Sequence, residues 1–228
     1  MALLSIGLIL LISIEGYSKY KIGVISPEKQ FSSQSYNQTL YDSFWVSYGE
    51  TESIGFEPYS LSEFISRFLF VIAVSEPGRD RGKKYMPKGH GLAYDLTRKI
   101  HFKQQLKMDN WHLDSAILSS WVSRNYRAEE ALNLMFQWQY FGIKVAGLDQ
   151  AAIHYFETHW SNLSLNQIIT LIVFSQAPSR YTDCNNKEKL IVRAQEISDR
   201  LKQFNPAKYG SFQFSFAQFI AKDGITCT

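Results

Sequence analysis

The sequence contains little cysteine: Cys184 and Cys227 are the only two in 228 residues, with no histidine partner at metal spacing. A zinc site is therefore not expected. In an exported chain the two could close a long C-terminal loop as a disulfide, and two separate thiols are the other reading. Six prolines and 13 glycines are too few for a disordered or low-complexity chain, and no internal repeat or Gly/Ser linker is visible. A net charge of +3 is too small to argue for nucleic acid. Also missing is an apolar run of the ~20 residues that a membrane span needs. The nearest approach is Ala2 to Ile14, closed by Glu15. It resembles a signal-peptide core, yet no Lys or Arg precedes it and no clear small-x-small cleavage site follows. Lys19 and Lys21 lie on its C-terminal side, so charge does not place the amino terminus inside. Residues 1–16 read as a signal or membrane-anchor segment, with a buried core segment as the alternative.

What is present is apolar and aromatic. Hydrophobic residues make up 45% of the chain and aromatics 15%, enough for one globular domain with a sizeable core. Residues 17–58 are rich in Ser, Gln, Tyr and Asn, and Phe44-Trp45-Val46-Ser47-Tyr48 alternates, so this stretch reads as irregular or partly β. From there helical periodicity takes over. Ser60 and Glu63 form a capping-box pattern, with Tyr59 and Phe64 placed as a staple. Leu61, Phe64, Ile65, Phe68 and Ile72 then share a face expected to be buried. Pro77 ends that helix by pushing Glu76 out of helical geometry.

Further helices are expected over about 91–104, 111–125, 128–138, 148–157, 165–175 and 187–203. Asp109 or Asn110 caps the second of these, and Leu113, Ile117, Leu118 and Trp121 point inward. Gly142 and Gly147 bracket a turn. Ser164 and Gln167 make a second capping box before a helix that is apolar almost all round, and hence central. The fold class is all-α, in the order 1–16, 17–58, a helical domain over 59–204, and a C-terminal extension over 205–228.

Against this frame, Tyr140-Phe141-Gly142, Gly147-Leu148, Ala151-Ala152, Tyr155-Phe156, Leu163-Ser164-Leu165 and Ala177-Pro178-Ser179-Arg180-Tyr181 stand at fixed spacings. Together they resemble the back half of the family 51 peptidoglycan glycosyltransferases, the transglycosylase domains of penicillin-binding proteins and monofunctional transglycosylases. The resemblance implies a lysozyme-like helical domain. Most of these positions read as packing positions, because glycines permit tight turns and proline stops a helix.

The front half is similar more loosely. Leu61-Ser62-Glu63-Phe64 and Val71-Ile72-Ala73-Val74-Ser75-Glu76 resemble the approach to the family's catalytic glutamate, which puts Glu76 in that role. At a helix end, after an apolar run, its carboxyl is expected to have a raised pKa suited to proton exchange. Gly89-His90-Gly91-Leu92-Ala93-Tyr94-Asp95-Leu96-Thr97-Arg98-Lys99 takes the place of the family's lipid-pyrophosphate signature. That implies substrate contacts from Lys88, His90, Arg98 and Lys99, on a helix start able to face an anion. The basic run Arg79, Arg81, Lys83, Lys84, Lys88 could meet an anionic lipid or a pyrophosphate, with a solvated basic loop as the equal alternative.

Three departures accompany the likeness. Only 12 residues separate Glu76 from Gly89, so much of the family's acceptor-side segment is absent. The position of the family's second carboxylate is Ser115, with Asp114 offset by ~100° around the helix. The family's Glu and Asn before the Tyr-Phe-Gly element read Asn133 and Gln137. Loss of a general acid or base costs ~10²–10⁴ in rate. Two function classes follow. One is a divergent transferase of reduced activity that polymerises glycan from lipid-linked disaccharide, with Glu76 as base and Asp114 or a water as helper. The other is a non-catalytic envelope protein that binds lipid-linked precursor, glycan or another wall enzyme. A lytic enzyme comes third. No cofactor is expected beyond a divalent cation carried by substrate phosphate. The expected surroundings are the cell envelope, exported or anchored at the inner membrane, with contact to the membrane surface and other wall-synthesis proteins.

Overall fold

In a computed structural model the described residues are 2–74, 85–142, 144–220 and 226–227, with side chains described between residues 9 and 219 apart from Ile143. The chain divides into two compact units, residues 1–30 with 55–131 and residues 31–54 with 132–228. Both are mainly helical.

The first unit is built from α1 (Ala2–Ile25), α3 (Leu61–Val74), α4 (His90–Gln104) and α5 (Trp111–Asn125), with the first turn of α6 (Ala128–Trp138). Its α1 runs without a break past residue 16. Ile14 and Ile22 pack with Phe64, Ile65 and Leu113 around the buried Leu61, Ala116 and Ile117. Polar groups hold α1 as well. A Glu15 oxygen accepts from the Ser62 backbone N–H (2.8 Å), satisfying one of the orphan donors at the start of α3. Burial pushes the Glu15 carboxyl up, but hydrogen bonds from Ser62 and Ser60 outweigh it and leave the pKa lowered. Among the described residues no helix is long and apolar enough to cross a membrane.

Two expectations for α3 need correction. Glu63 N–H does donate to Ser60 Oγ (3.2 Å), but the Glu63 carboxylate turns to Arg67 instead of completing the box. Phe68 and Ile72 are exposed, 48% and 62%, so the apolar face of α3 is covered only in its first turns.

α4 and α5 pack against one another. Leu92, Ala93, Leu96, Thr97 and Ile100 form the buried face of α4, at helical spacing. On α5 the buried residues Ser115, Ala116, Ser119, Ser120 and Ser123 recur three to four apart, short side chains that let a neighbouring helix come close. Asn110 caps α5, its side chain accepting from Leu113 N–H at 3.1 Å.

In the second unit α2 (Gln38–Ser47), α8 (Leu165–Gln176) and α10 (Lys187–Phe204) pack together. Around them lie the rest of α6, the hairpin β1 (Tyr140–Gly142) and β2 (Val145–Ala146), α7 (Leu148–Phe156), α9 (Pro178–Tyr181), α11 (Pro206–Tyr209), and the pair β3 (Phe219–Ile220) and β4 (Thr226–Cys227). The stretch expected to be partly β is helical at α2. Asn37 caps that helix through Leu40 N–H (3.0 Å), and Leu40, Phe44, Trp45 and Val46 are buried. Burial of adjacent residues on a helix mimics alternation over five positions.

α8 is central as expected. Every side chain from Ile168 to Phe174 is buried, and burying each large one contributes roughly 1.5–3 kcal/mol relative to exposure. Its capping box is complete, with Ser164 and Gln167 bonded reciprocally. Asp42 on α2 accepts from Tyr209 Oη (2.6 Å) and Lys208 Nζ (3.0 Å), fastening α11. Phe219 packs on Phe174 and Tyr155, and Asn166 bonds Ser215 twice, so the C-terminal extension belongs to this unit. Cys184 is disulfide-bonded, and the side chain of Cys227 lies outside the described residues.

Candidate active site

The first unit carries most of the expected site residues, beginning at the start of α4. Gly89 stands before the helix at φ 77°, a left-handed conformation that glycine adopts without a Cβ penalty. The segment ahead of it is tied down by a two-way backbone and side-chain clamp. Glu57 N–H donates to Lys88 O (3.0 Å), and Lys88 N–H donates to Glu57 Oε2 (3.1 Å). Arg67 on α3 reaches the Glu57 carboxylate through both terminal nitrogens, and Glu63 at 2.8 Å. The Arg67 guanidinium holds the Glu57 carboxyl below its usual range, helped by the Lys88 N–H. α3 thereby fixes where α4 starts.

His90 is the first residue of α4. Its Nδ1 lies 2.9 Å from Tyr59 Oη, and its ring packs among Phe64, Tyr59 and Tyr94 at centroid distances of 5.1, 5.6 and 6.1 Å. Burial among these rings drives its pKa down to about 4. At neutral pH His90 is uncharged, so it offers an anion at most one ring N–H. Its own backbone N–H donates to Pro87 O (3.0 Å). Tyr59 in turn receives the Ser123 hydroxyl as acceptor for its backbone N–H (3.3 Å), which links α5 to this corner.

Arg98 and Lys99 lie eight and nine residues further along α4, which is ~12–14 Å of helix rise. They do not converge on the helix start. Arg98 is exposed, whereas burial lowers the Lys99 pKa, with Asp95 partly offsetting and Arg98 adding to the drop. An ammonium held from water without full compensation is better stabilised once an anion arrives.

Asp114 sits in the first turn of α5 and is fully buried. Its Oδ2 accepts the backbone N–H groups of Asp109 (2.9 Å) and Asn110 (3.0 Å). Its Oδ1 faces the Lys21 ammonium at 3.4 Å, and Lys21 also pairs with Asp109 at 3.1 Å. Asp109 above all raises the Lys21 pKa. Because the connection over 105–110 reverses the chain between packed helices, Asp114 lies at the opposite end of the α4–α5 pair from His90. The separation is roughly 20 Å by helix rise. The geometry at Asp114 is that of a group holding a helix start and a lysine. Ser115 beside it is buried, and among the described residues its hydroxyl has no hydrogen-bond partner. Glu76, with Arg79, Arg81, Lys83 and Lys84, lies outside the described residues.

The fixed spacings in the second unit serve packing. Tyr155 Oη donates to Phe141 O (2.8 Å), and burial pushes its pKa up to about 12. Gly142, at φ 145°, leaves room for that hydroxyl, since a Cβ there would come within 2.3 Å of it. Gly147 N–H donates to Gln139 O (2.8 Å), closing the hairpin. Asn133 accepts from Tyr41 Oη (2.7 Å), and the Gln137 amide donates to Ser32 Oγ (2.6 Å). Of the partners that sequence reasoning missed, Glu15, Lys21, Glu57 and Tyr59 reach residues 31 to 93 positions away, which no local pattern reports, whereas Arg67 meets Glu63 and Glu57 only 4 and 10 residues away.

The transglycosylase family model matches residues 92–202. The protein carries a family 51 transglycosylase-like domain. The match takes in Arg98, Lys99 and Asp114 of the candidate site, and starts after Glu76, Lys88 and His90. It contains every fixed-spacing element from Tyr140 to Tyr181. No curated protein matches the chain. A transglycosylase domain implies a glycan or a glycan precursor as the molecule bound.

Proposed function

We propose that this transglycosylase-like protein acts on a lipid-linked disaccharide, extending glycan strands at reduced rate. The family match over 92–202 is the observation that carries this reading. Glu76 is the base that takes the proton from the acceptor hydroxyl as it attacks the donor's anomeric carbon. Lys88, at the clamped start of α4, addresses the pyrophosphate, with the neutral His90 ring as a single donor. Arg98 and Lys99 meet a second part of the same extended substrate, consistent with their ~12–14 Å offset along the helix. Any divalent ion arrives with the substrate phosphate. The disulfide at Cys184 supports an exported domain in the cell envelope, where disulfides persist.

A second reading has its own support. Where the family has a carboxylate, the chain has Ser115, and the neighbouring Asp114 is committed to backbone and Lys21. Asn133 and Gln137 are likewise engaged by Tyr41 and Ser32. Such a protein can bind precursor, glycan or another wall enzyme without turnover. Binding of labelled lipid-linked disaccharide to the intact chain, with Arg98→Gln and Lys99→Gln alongside, tests what both readings share. Affinity lost in both variants supports this substrate path, and unchanged affinity removes α4 from it. Turnover separates the two readings.

A further inference from the structure

We propose that the second unit carries a saccharide-binding site, with the Trp160 indole as platform for one sugar ring and the Asp149 carboxylate as acceptor for its hydroxyls. The ligand class rests on the transglycosylase reading, whereas the site is built from side chains that reading leaves unused.

Asp149 stands in the first turn of α7, and its Oδ1 is buried with no hydrogen-bond partner among the described residues. An ionised carboxylate only accepts, and a buried acceptor without a donor is rare in a folded chain. The hydroxyls of Ser43, Ser115 and Ser198 also lack partners among the described residues, but those side chains are sealed in the core at 0% exposure. Asp149 is half-buried instead, so a small turn of its carboxylate presents that oxygen to a donor from solvent.

Trp160 opens a short turn, Trp160–Asn162, that follows α7 and packs against it. Asn162 N–H donates to His159 O (3.0 Å) and Leu163 N–H to Trp160 O (3.3 Å), and the Leu163 side chain is buried. The indole is half-buried and backed by the buried Tyr36 ring at 4.8 Å, which is itself backed by Phe136 at 4.6 Å. A platform supported by rings that run into the core is already ordered before a ligand arrives. Tyr36 also joins the platform to the carboxylate. Burial first, and then the Asp149 charge, push the Tyr36 hydroxyl above the usual tyrosine range, so Asp149 lies within electrostatic reach of the ring that supports Trp160.

A pyranose matches both groups. One face of the sugar ring is lined by C–H groups that cover an aromatic surface, and the hydroxyls at its edge donate to a carboxylate. Ser161 and Asn162 are exposed on the same turn, and hydroxyl and amide groups both donate and accept, as sugar hydroxyls do. An alkylammonium also suits an indole beside a carboxylate, but it has no acceptor to offer those donors. The neutral rim therefore favours the sugar.

Titration of the isotope-labelled full chain with chitotetraose, a β-linked tetramer of N-acetylglucosamine, tests the proposal at the Trp160 indole N–H resonance. That signal should shift saturably. Asp149→Ala and Trp160→Leu should each weaken binding at least about tenfold, read by saturation transfer to the sugar protons. Leucine keeps an apolar contact with Tyr36, and the wild-type shift needs no variant, so the proposal stays open to refutation even if one variant unfolds. No shift up to the solubility limit of the sugar overturns it, as does unchanged affinity in Asp149→Ala. Tighter binding of butylammonium than of the tetramer also overturns it, by making the site one for cations. The tetramer carries neither lipid nor pyrophosphate, so a negative result here leaves the α4 substrate path to its own test with Arg98→Gln and Lys99→Gln.

Discussion

His90 should make the protein lose stability on mild acidification, by an amount that its surroundings fix. In the unfolded chain its imidazole has the ordinary value of 6.5, and in the folded state burial among Phe64, Tyr59 and Tyr94 lowers it to about 4. Above pH 7 neither state carries the proton. As pH falls through 6.5 the unfolded chain binds it and the folded one does not, so folding weakens until pH reaches about 4 and then levels off. A shift of this size corresponds to about 3 kcal/mol in full and about 2 kcal/mol between pH 7.5 and pH 5. Urea unfolding of wild type and His90→Gln at those two pH values isolates the effect. Glu57, Glu15 and Glu130 have lowered pKa values and act mainly below pH 5, and subtraction of the variant removes what they contribute. The wild type should lose about 2 kcal/mol more than the variant on going to pH 5. Equal losses in the two proteins would falsify the buried, neutral His90, as would an imidazole NMR titration near 6.5.

Asp114→Ala should destabilise the first unit by about 2–4 kcal/mol, since two backbone N–H groups lose a charged acceptor, and Asp114→Asn should cost less. Chemical denaturation checks the sign. A carboxylate kept for chemistry would be neutral or stabilising when replaced, and that result would reverse the structural role given to it here. Gly142→Ala forces a Cβ against Tyr155 Oη and should cost about 2–4 kcal/mol, roughly 5–15 °C in melting temperature. Adding Tyr155→Phe should recover part of that loss, so a double-mutant cycle showing strict additivity would count against the contact. Arg67→Gln removes the grip on Glu57 and should loosen residues 85–90, seen as faster amide exchange at Lys88 and His90.

Much of the fold could be read from local patterns. The Ser164–Gln167 box, the Asn110 cap and the apolar faces of α6, α8 and α10 follow from residues close in sequence, and their helices start and end near the expected places. The misreadings have a common origin. Whether Phe68 and Ile72 are covered depends on how far α1 and α5 extend along α3, and periodicity alone does not carry that length. The alternation at Phe44–Tyr48 spans too few residues to separate a strand from a helix buried on adjacent positions. The candidate site was legible only in part. The residue types and order on α4 indicated an anion-facing helix, but the uncharged state of His90 comes from Tyr59 and Phe64, about thirty residues earlier in the chain. The binding of Asp114 to Lys21 joins residues 93 apart, a pairing that emerges only when α1 folds onto α5.

Glycan-chain formation from labelled lipid-linked disaccharide, comparing the intact protein with Glu76→Gln, tests the central proposal most directly. Slow polymerisation by the wild type that disappears in the variant is the predicted result. Bound substrate with no polymer from either protein, or equal polymer from both, contradicts a working transferase with Glu76 as its base.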